Sequence, residues 1–287
     1  MKSVVSIIRN VRPHWVGDGF PVRSLFSYAH DSAVFDPFLL LDYAGPHEFA
    51  PGTAPRGVGE HPHRGFETVT IVYEGELEHR DSGGNHGSIG KGDVQWMTAA
   101  GGVVHEEFHS QRFTRDGGVL EMVQLWVNLP AKDKLSSPRY QGILNAQIPT
   151  VTLDGGAGTV RVIAGTFSEV RGPAKTFTPV ELWDVQLSGA GEATFPLAAG
   201  HTSLLLVQQG AVTINGKDNV AAGDLVVLDR AGTGITLRAE APARALILAG
   251  EPLGEPVEGQ GPFVMNTREQ IFQAISDYQA GKMGHLA

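Results

Sequence analysis

One short grammar occurs twice in this chain, and it constrains the fold more than any other feature. In the first half an apolar strand, Gly75, a second strand and then Gly92-Asp93 lead into Val94-Gln95-Trp96. In the second half a strand, Gly210, a strand and Gly223-Asp224 lead into Leu225-Val226-Val227. Apolar and polar residues alternate between these markers, which is the pattern of strands with one buried face. Glycines mark the turns. A β-rich unit repeated within one chain predicts an all-β architecture of two stacked β-barrels, each an antiparallel meander that closes as a jelly roll. The 287 residues suit two domains.

The strands expected in the first half are residues 4–11, 22–27, 38–42, 68–73, 76–80, 92–97, a strand from Val103, and 120–129. Residues 131–147 are polar and lack a period, so they read as a linker. The expected division is therefore 1–135 for an N-terminal, metal-binding barrel and 136–287 for a C-terminal barrel. There the β pattern restarts, at 159–165, 180–187, 192–196, 201–208, 211–214, 225–229, 234–239 and 244–249. A short helix should close the chain over 266–281. Asn266 or Thr267 can cap it, Glu269 or Gln270 can complete a capping box, Ile271, Ile275 and Tyr278 with Phe272 form a docking stripe, and Gly281 ends it.

Chemistry concentrates between Gly57 and His109, where six side chains are potential ligands: His61, His63, Glu67, His105, Glu107 and His109. If His61, His63 and Glu67 open the strand that follows them, period two sets all three on one face. His105 and Glu107 are again two apart, so two adjacent strands can converge on one ion. Imidazoles with a carboxylate suit a divalent transition metal. With no cysteine in the chain, sulfur-ligated zinc, iron–sulfur sites, thiolate catalysis and disulfides are excluded. A four-ligand set of this kind leaves one or two positions open for water, O2 or substrate, unlike a closed structural zinc site. His14, His30, His47, His79, His86, His201 and His285 have no partner at ligand spacing and stay outside the set, and Asp42 and His47 read as loop partners. In the second copy the corresponding stretch carries Leu197, Ala198 and Ala199 with only His201 nearby. No histidine follows Gly223-Asp224 until His285, so that barrel should hold no metal.

A net charge of −9 argues against nucleic acid as a direct partner, because phosphates call for a basic face. The apolar run from Val4 to Ile8 is too short for a secretory core. No stretch approaches the roughly 18 apolar residues that cross a bilayer. The expectation is a soluble, cytoplasmic protein.

The stretches HPHRGFETVT and GDVQWMTAAGGVVHEE, together with DPFLLLDYAGPHEF, QLWVNLP and GEPLGEPVEGQGPFVMNTREQIFQAISDYQAGKMG, resemble the pirins, members of the cupin superfamily. The resemblance covers much of the chain and implies a bicupin. The general cupin pattern points to Glu67 as the carboxylate ligand. Pirins use the Glu two residues beyond the later His, which here gives His61, His63, His105 and Glu107 as the metal set. Glu67 then becomes a structural or outer residue. The glycine spacing before His61 and Ala100, where proline is common, depart from the usual cupin motifs.

The implied activity is that of a quercetin 2,3-dioxygenase: a flavonol such as quercetin and O2 as substrates, ring cleavage, and loss of CO. Fe(II) is the first choice of metal, since it exchanges electrons with O2, although Mn, Ni, Co, Cu and Zn fit the same ligand types. Glu107 is the candidate catalytic residue, able to take the flavonol hydroxyl proton. Phe66, Trp96 and Met97 could wall an apolar pocket, with core packing the simpler role. The resemblance also implies an alternative of another class, a metal-binding regulatory protein that acts through protein partners such as a transcription cofactor or a metabolic enzyme. A metal-dependent isomerase or hydrolase on the same fold is a third reading.

Overall fold

The two copies of the grammar build the same sheet plan. In the computed structural model, residues 1–189 and 191–286 are described. One unit pairs a seven-stranded sheet with a four-stranded one. The large sheet runs Arg139–Ile143, Val94–Thr98, Phe66–Glu74, Gly118–Asn128, Phe38–Phe49, Phe20–Ser27 and His14–Val16. The small one runs Gly57–His63, Val103–His109, Leu77–Asp81 and His86–Ile89. The other unit repeats this order strand for strand. Its large sheet is Val4–Ile8, Leu225–Leu228, Thr202–Gln209, Ala243–Gly250, Val180–Leu187, Gly158–Ala164 and Thr150–Thr152, and its small sheet is Glu192–Pro196, Gly234–Arg238, Ala211–Ile214 and Asp218–Ala221.

The repeated Gly-Asp pairs explain the shared plan. Gly92, at φ +85°, donates its N–H to the Val72 carbonyl at 2.7 Å, and Gly223, at φ +91°, donates to Val207 at 2.8 Å. In return Val72 donates to the Asp93 carbonyl at 3.2 Å and Val207 to Asp224 at 3.0 Å. Glycine supplies the left-handed backbone without a Cβ penalty, so each turn returns the chain in the same register.

A single cut after residue 135 does not describe the division. One unit comprises residues 12–145 and 253–287, the other residues 1–11 and 146–252. The expected linker contains the strand Arg139–Ile143, which adds to the edge of the first large sheet with Tyr140 opposite Met97. Its counterpart in the second unit is the N-terminal strand Val4–Ile8, paired with Leu225–Leu228. Edge strands are half exposed, and in Arg139–Ile143 only Ile143 is fully buried, so alternation is too weak to mark it.

The segment after Leu253 returns to the first unit. Its helix, Arg268–Gln279, starts with a capping box between Thr267 and Gln270. Ile271 and Ala274 pack with Val104, Phe263, Met265 and Met283. Phe272 lies outside the docking stripe and is exposed. Lys134 ties this segment down, donating from a buried Nζ to the carbonyls of Gly65 at 2.7 Å and Val264 at 3.0 Å and to Asn128 Oδ1 at 2.6 Å. Among the described residues, no helix is long and apolar enough to cross a membrane.

The two interiors differ. That of the second unit is filled by Trp183, Phe195, Leu205, Ile235, Leu237 and Ile247, all buried in one apolar cluster. The first unit buries polar side chains at the corresponding level: His63, His79, Asp81, His105, Glu107 and Gln95.

Candidate metal centre

Three neighbouring strands of the first small sheet supply the polar interior. In the antiparallel register His105 stands opposite His61 on one side and opposite Asp81 on the other, while Glu107 stands opposite His79. Period two turns His61 and His63, His79 and Asp81, and His105 and Glu107 to one face. A register shift between His105 and Glu107 leaves extra backbone around Gly59, whose carbonyl accepts the Nδ1–H of His61 at 2.8 Å.

Ligand atoms of His61, His63 and His105 lie within 4.8 Å of one another, as do those of His79, His105 and Glu107, so these groups could hold a metal ion. The ring centroids of His61, His63 and His105 are 4.3–4.9 Å apart. The donor set fits a metal on an independent observation: the buried Nδ1 of His63 and Nε2 of His105 have no hydrogen-bond partner. Buried polar atoms are seldom left without one unless something else meets them. Both rings titrate well below the usual histidine range, because burial disfavours the imidazolium and neighbouring imidazoles add to the effect. They are therefore neutral at pH 7 and offer lone pairs.

Glu107 is held on both carboxylate oxygens. Gln95 Nε2 donates to Oε1 at 3.0 Å with Thr70 Oγ1 at 3.5 Å, and Gln124 Nε2 donates to Oε2 at 3.1 Å. Tyr140, on the edge strand that the linker reading missed, extends the net by donating to Gln95 Oε1 at 3.3 Å and stacks on His79 at 5.0 Å.

Glu67 does not join His61 and His63. The chain turns between them at Gly65, φ +92°, where a Cβ would stand 1.9 Å from the Val264 carbonyl, so Glu67 belongs to the next strand, Phe66–Glu74. There it alternates with Thr70, which reaches Glu107, and meets Thr98, whose hydroxyl donates to it at 2.6 Å, with Arg139 at 3.8 Å. Burial raises its carboxyl from 4.5 to about 7 against that hydrogen bond. His109 is also apart, donating to the Gly19 carbonyl at 2.9 Å among the rings of Phe20, Phe49 and Phe113. Phe66 does reach the centre, 5.2 Å from His63 and stacked on Trp126.

His79 is the residue that spacing overlooked. It has no second histidine two away, but His79-x-Asp81 is itself a polar pair at strand period, and that was the available signal. Asp42, read as a loop partner, is in the strand Phe38–Phe49 opposite Gln124. It lines a cavity of about 30 Å³ together with Val16, Val58, His61, Glu107 and Gln124. Burial pushes its carboxyl up, and the hydrogen bond from Ser24 works in the other direction.

Two barrels of this plan, one carrying a His-and-Glu interior, define the class of bicupins. The family model for pirin matches residues 19–127, and that for the pirin C-terminal cupin domain matches residues 182–284. The chain belongs to the pirin family. A Pseudomonas aeruginosa protein named "putative quercetin 2,3-dioxygenase" is 54% identical over 98% of both chains. A pirin-like protein of Caulobacter vibrioides is 40% identical over 96% of this chain and 98% of its own. The crystal structure of a quercetin 2,3-dioxygenase from Acinetobacter baumannii, 49% identical, superposes with a TM-score of 0.97 over the whole of both chains.

Proposed function

We propose that this pirin is a metal-dependent oxidoreductase of the quercetin 2,3-dioxygenase type. The observation that carries the reading is the cluster of His61, His63 and His105, two of them with buried unpartnered nitrogens, which shares His105 with a second cluster that contains Glu107. His61, His63, His105 and Glu107 would hold one divalent ion, with Fe(II) the first choice. Such an ion supplies the exchange of electrons with O2 that a flavonol ring cleavage with release of CO demands. The names of the Pseudomonas and Acinetobacter relatives point to the same reaction.

The protein's own residues divide the remaining work. Three donors, from Gln95, Thr70 and Gln124, hold the Glu107 carboxylate in one orientation, which suits a ligand. Asp42, on the same cavity wall as Glu107, is a second candidate for taking the substrate proton: Ser24 donates to one of its oxygens, and burial raises its carboxyl. Phe66 and Trp126, stacked behind His63, keep water from that side of the ring.

The cavity, about 30 Å³, holds a water molecule or two. Sites for ligands of flavonol size measure roughly 300 Å³ or more. Admission therefore requires the half-buried Val16 and Val58 to move. The same small volume favours the second reading, a regulatory protein whose metal serves a partner and no substrate.

The deciding experiment loads the protein with Fe(II) and measures O2 uptake and CO release on quercetin, with His63→Ala and free Fe(II) as controls. Turnover above the blank that disappears in His63→Ala supports the dioxygenase. Iron retained with no turnover above the blank overturns it in favour of the regulatory reading. Asp42→Asn should keep its iron and lose turnover.

A further inference from the structure

Asp81 and His79 stand directly behind His105 and are absent from the ligand set proposed above. His79 Nε2 is 3.2 Å from Asp81 Oδ2, and His79 Nδ1 is 3.4 Å from His105 Nδ1, all of them buried. The direction of these bonds follows from their acid end. Asp81 is an acceptor only: besides His79, it takes the N–H of Gly83 at 2.9 Å, the N–H of Asn85 at 3.0 Å and the Asn85 amide at 3.0 and 3.1 Å. A carboxylate that only accepts requires a proton on His79 Nε2, 3.2 Å away. With its proton on Nε2, the His79 ring turns the Nδ1 lone pair to His105, whose Nδ1 at 3.4 Å is then the donor. In neutral His105 this leaves the lone pair on Nε2, the nitrogen found buried and unpartnered.

We propose that Asp81 and His79 form a hydrogen-bond relay that fixes the tautomer of His105, making both of them positioning residues for the metal centre. The relay explains the turn Asp81-Ser82-Gly83-Gly84-Asn85: its backbone and Asn85 wrap the carboxylate and aim it at His79. It also separates His79 from the ligands. Although His79 belongs to a cluster that could hold an ion, both of its ring nitrogens are engaged, one by Asp81 and the other by His105. Outer partners of this kind are worth about 10–100-fold in metal affinity.

The proposal rests on the metal-centre part of the function argued above and not on the substrate. Its first test needs no metal. Histidine ¹⁵N spectra of the chelator-treated protein should show His105 as the Nδ1–H tautomer. A proton on Nε2 would overturn the relay whether or not the protein binds metal or turns over quercetin. The second test titrates Co(II) against a competing chelator. His79→Leu should weaken binding about 10–100-fold, and so should Asp81→Asn, whose amide can donate to His79 and reverse the relay. His79→Asn, which keeps an oxygen acceptor near the Nδ1 position, should recover most of the loss. Binding by His79→Leu at the wild-type level, or equal loss in the Leu and Asn variants, would overturn the assignment. Should His79→Leu fail to fold, Asp81→Asn and its His105 tautomer decide the question. A wild-type protein that binds no Co(II) refutes the metal centre instead.

Discussion

His61 and His105 are register partners on adjacent antiparallel strands, with ring centroids 4.3 Å apart. Two imidazoles that close cannot both be protonated without mutual repulsion, but they can share an ion. One transition-metal equivalent per chain is therefore expected in protein purified without added metal. His105→Ala should lower the retained metal by at least about tenfold, because even losing an outer partner of a ligand costs about 10–100-fold. Elemental analysis checks this. A second equivalent that survives His61→Ala and His105→Ala would point to another centre.

The two carboxylates should separate in the same assay. Glu107 belongs to a cluster with His79 and His105 and shares the cavity wall with His61, whereas Glu67 is bonded to Thr98 on another strand. Glu107→Gln should lose metal while Glu67→Gln retains it at the wild-type level, because a neutral amide is the weaker ligand. The reverse pattern would restore Glu67 as the ligand.

What was legible in the chain follows from how local each signal is. The glycine turns, the strand alternation and the capping box at Thr267 act within a few residues, and the barrels and the terminal helix follow from them. The neighbourhood of His61, His63 and His105 was visible because strand period places His61 with His63, and His105 with Glu107, on one face. Glu67 was misplaced because Gly65 breaks the strand, and the reason for that glycine is the Val264 carbonyl, about 200 residues away in sequence. The exchange of edge strands was invisible for a similar reason. Neither Val4–Ile8 nor Arg139–Ile143 carries anything in its own sequence that names the sheet it joins. His79 fell between the two cases, with a local spacing to Asp81 but a role set by its neighbour across the strand.

Glu67 also predicts a pH dependence. Its folded carboxyl is raised from 4.5 to about 7, so between those values the folded state binds more proton than the unfolded chain, and stability falls as pH rises. Below the unfolded value the penalty vanishes. Above about 7 it is complete, on the order of 3 kcal/mol at about 1.4 kcal/mol per pH unit. Gln at this position carries no charge and still accepts from Thr98. The melting temperature of Glu67→Gln should therefore match the wild type near pH 4 and exceed it by several degrees at pH 8, at about 2–4 °C per kcal/mol. A gap that stays constant or narrows with pH would show that burial does not hold this carboxyl up.

Lys134 supplies the last prediction. Burial lowers its amine to about 7, so at pH 6 it is mostly an ammonium with three N–H donors, and three acceptors from separate parts of the first unit meet them: Asn128 Oδ1, the Gly65 carbonyl and the Val264 carbonyl. Gly65 is the turn that separates His63 from Phe66, and Val264 precedes the terminal helix, so one side chain fastens the C-terminal segment to the turn beside the candidate metal centre. Met has a similar length and no donors. It would leave the three acceptors buried, each at a cost of about 1–3 kcal/mol before relaxation. Lys134→Met should accordingly lose about 3 kcal/mol or more in urea denaturation. The amides of Phe263–Met265 should exchange faster than those of Thr202–Gln209, which belongs to the other unit. A loss below about 1 kcal/mol, or faster exchange spread evenly over both units, would mean that the segment is held by its apolar contacts with Val104 and Met283 and not by this lysine.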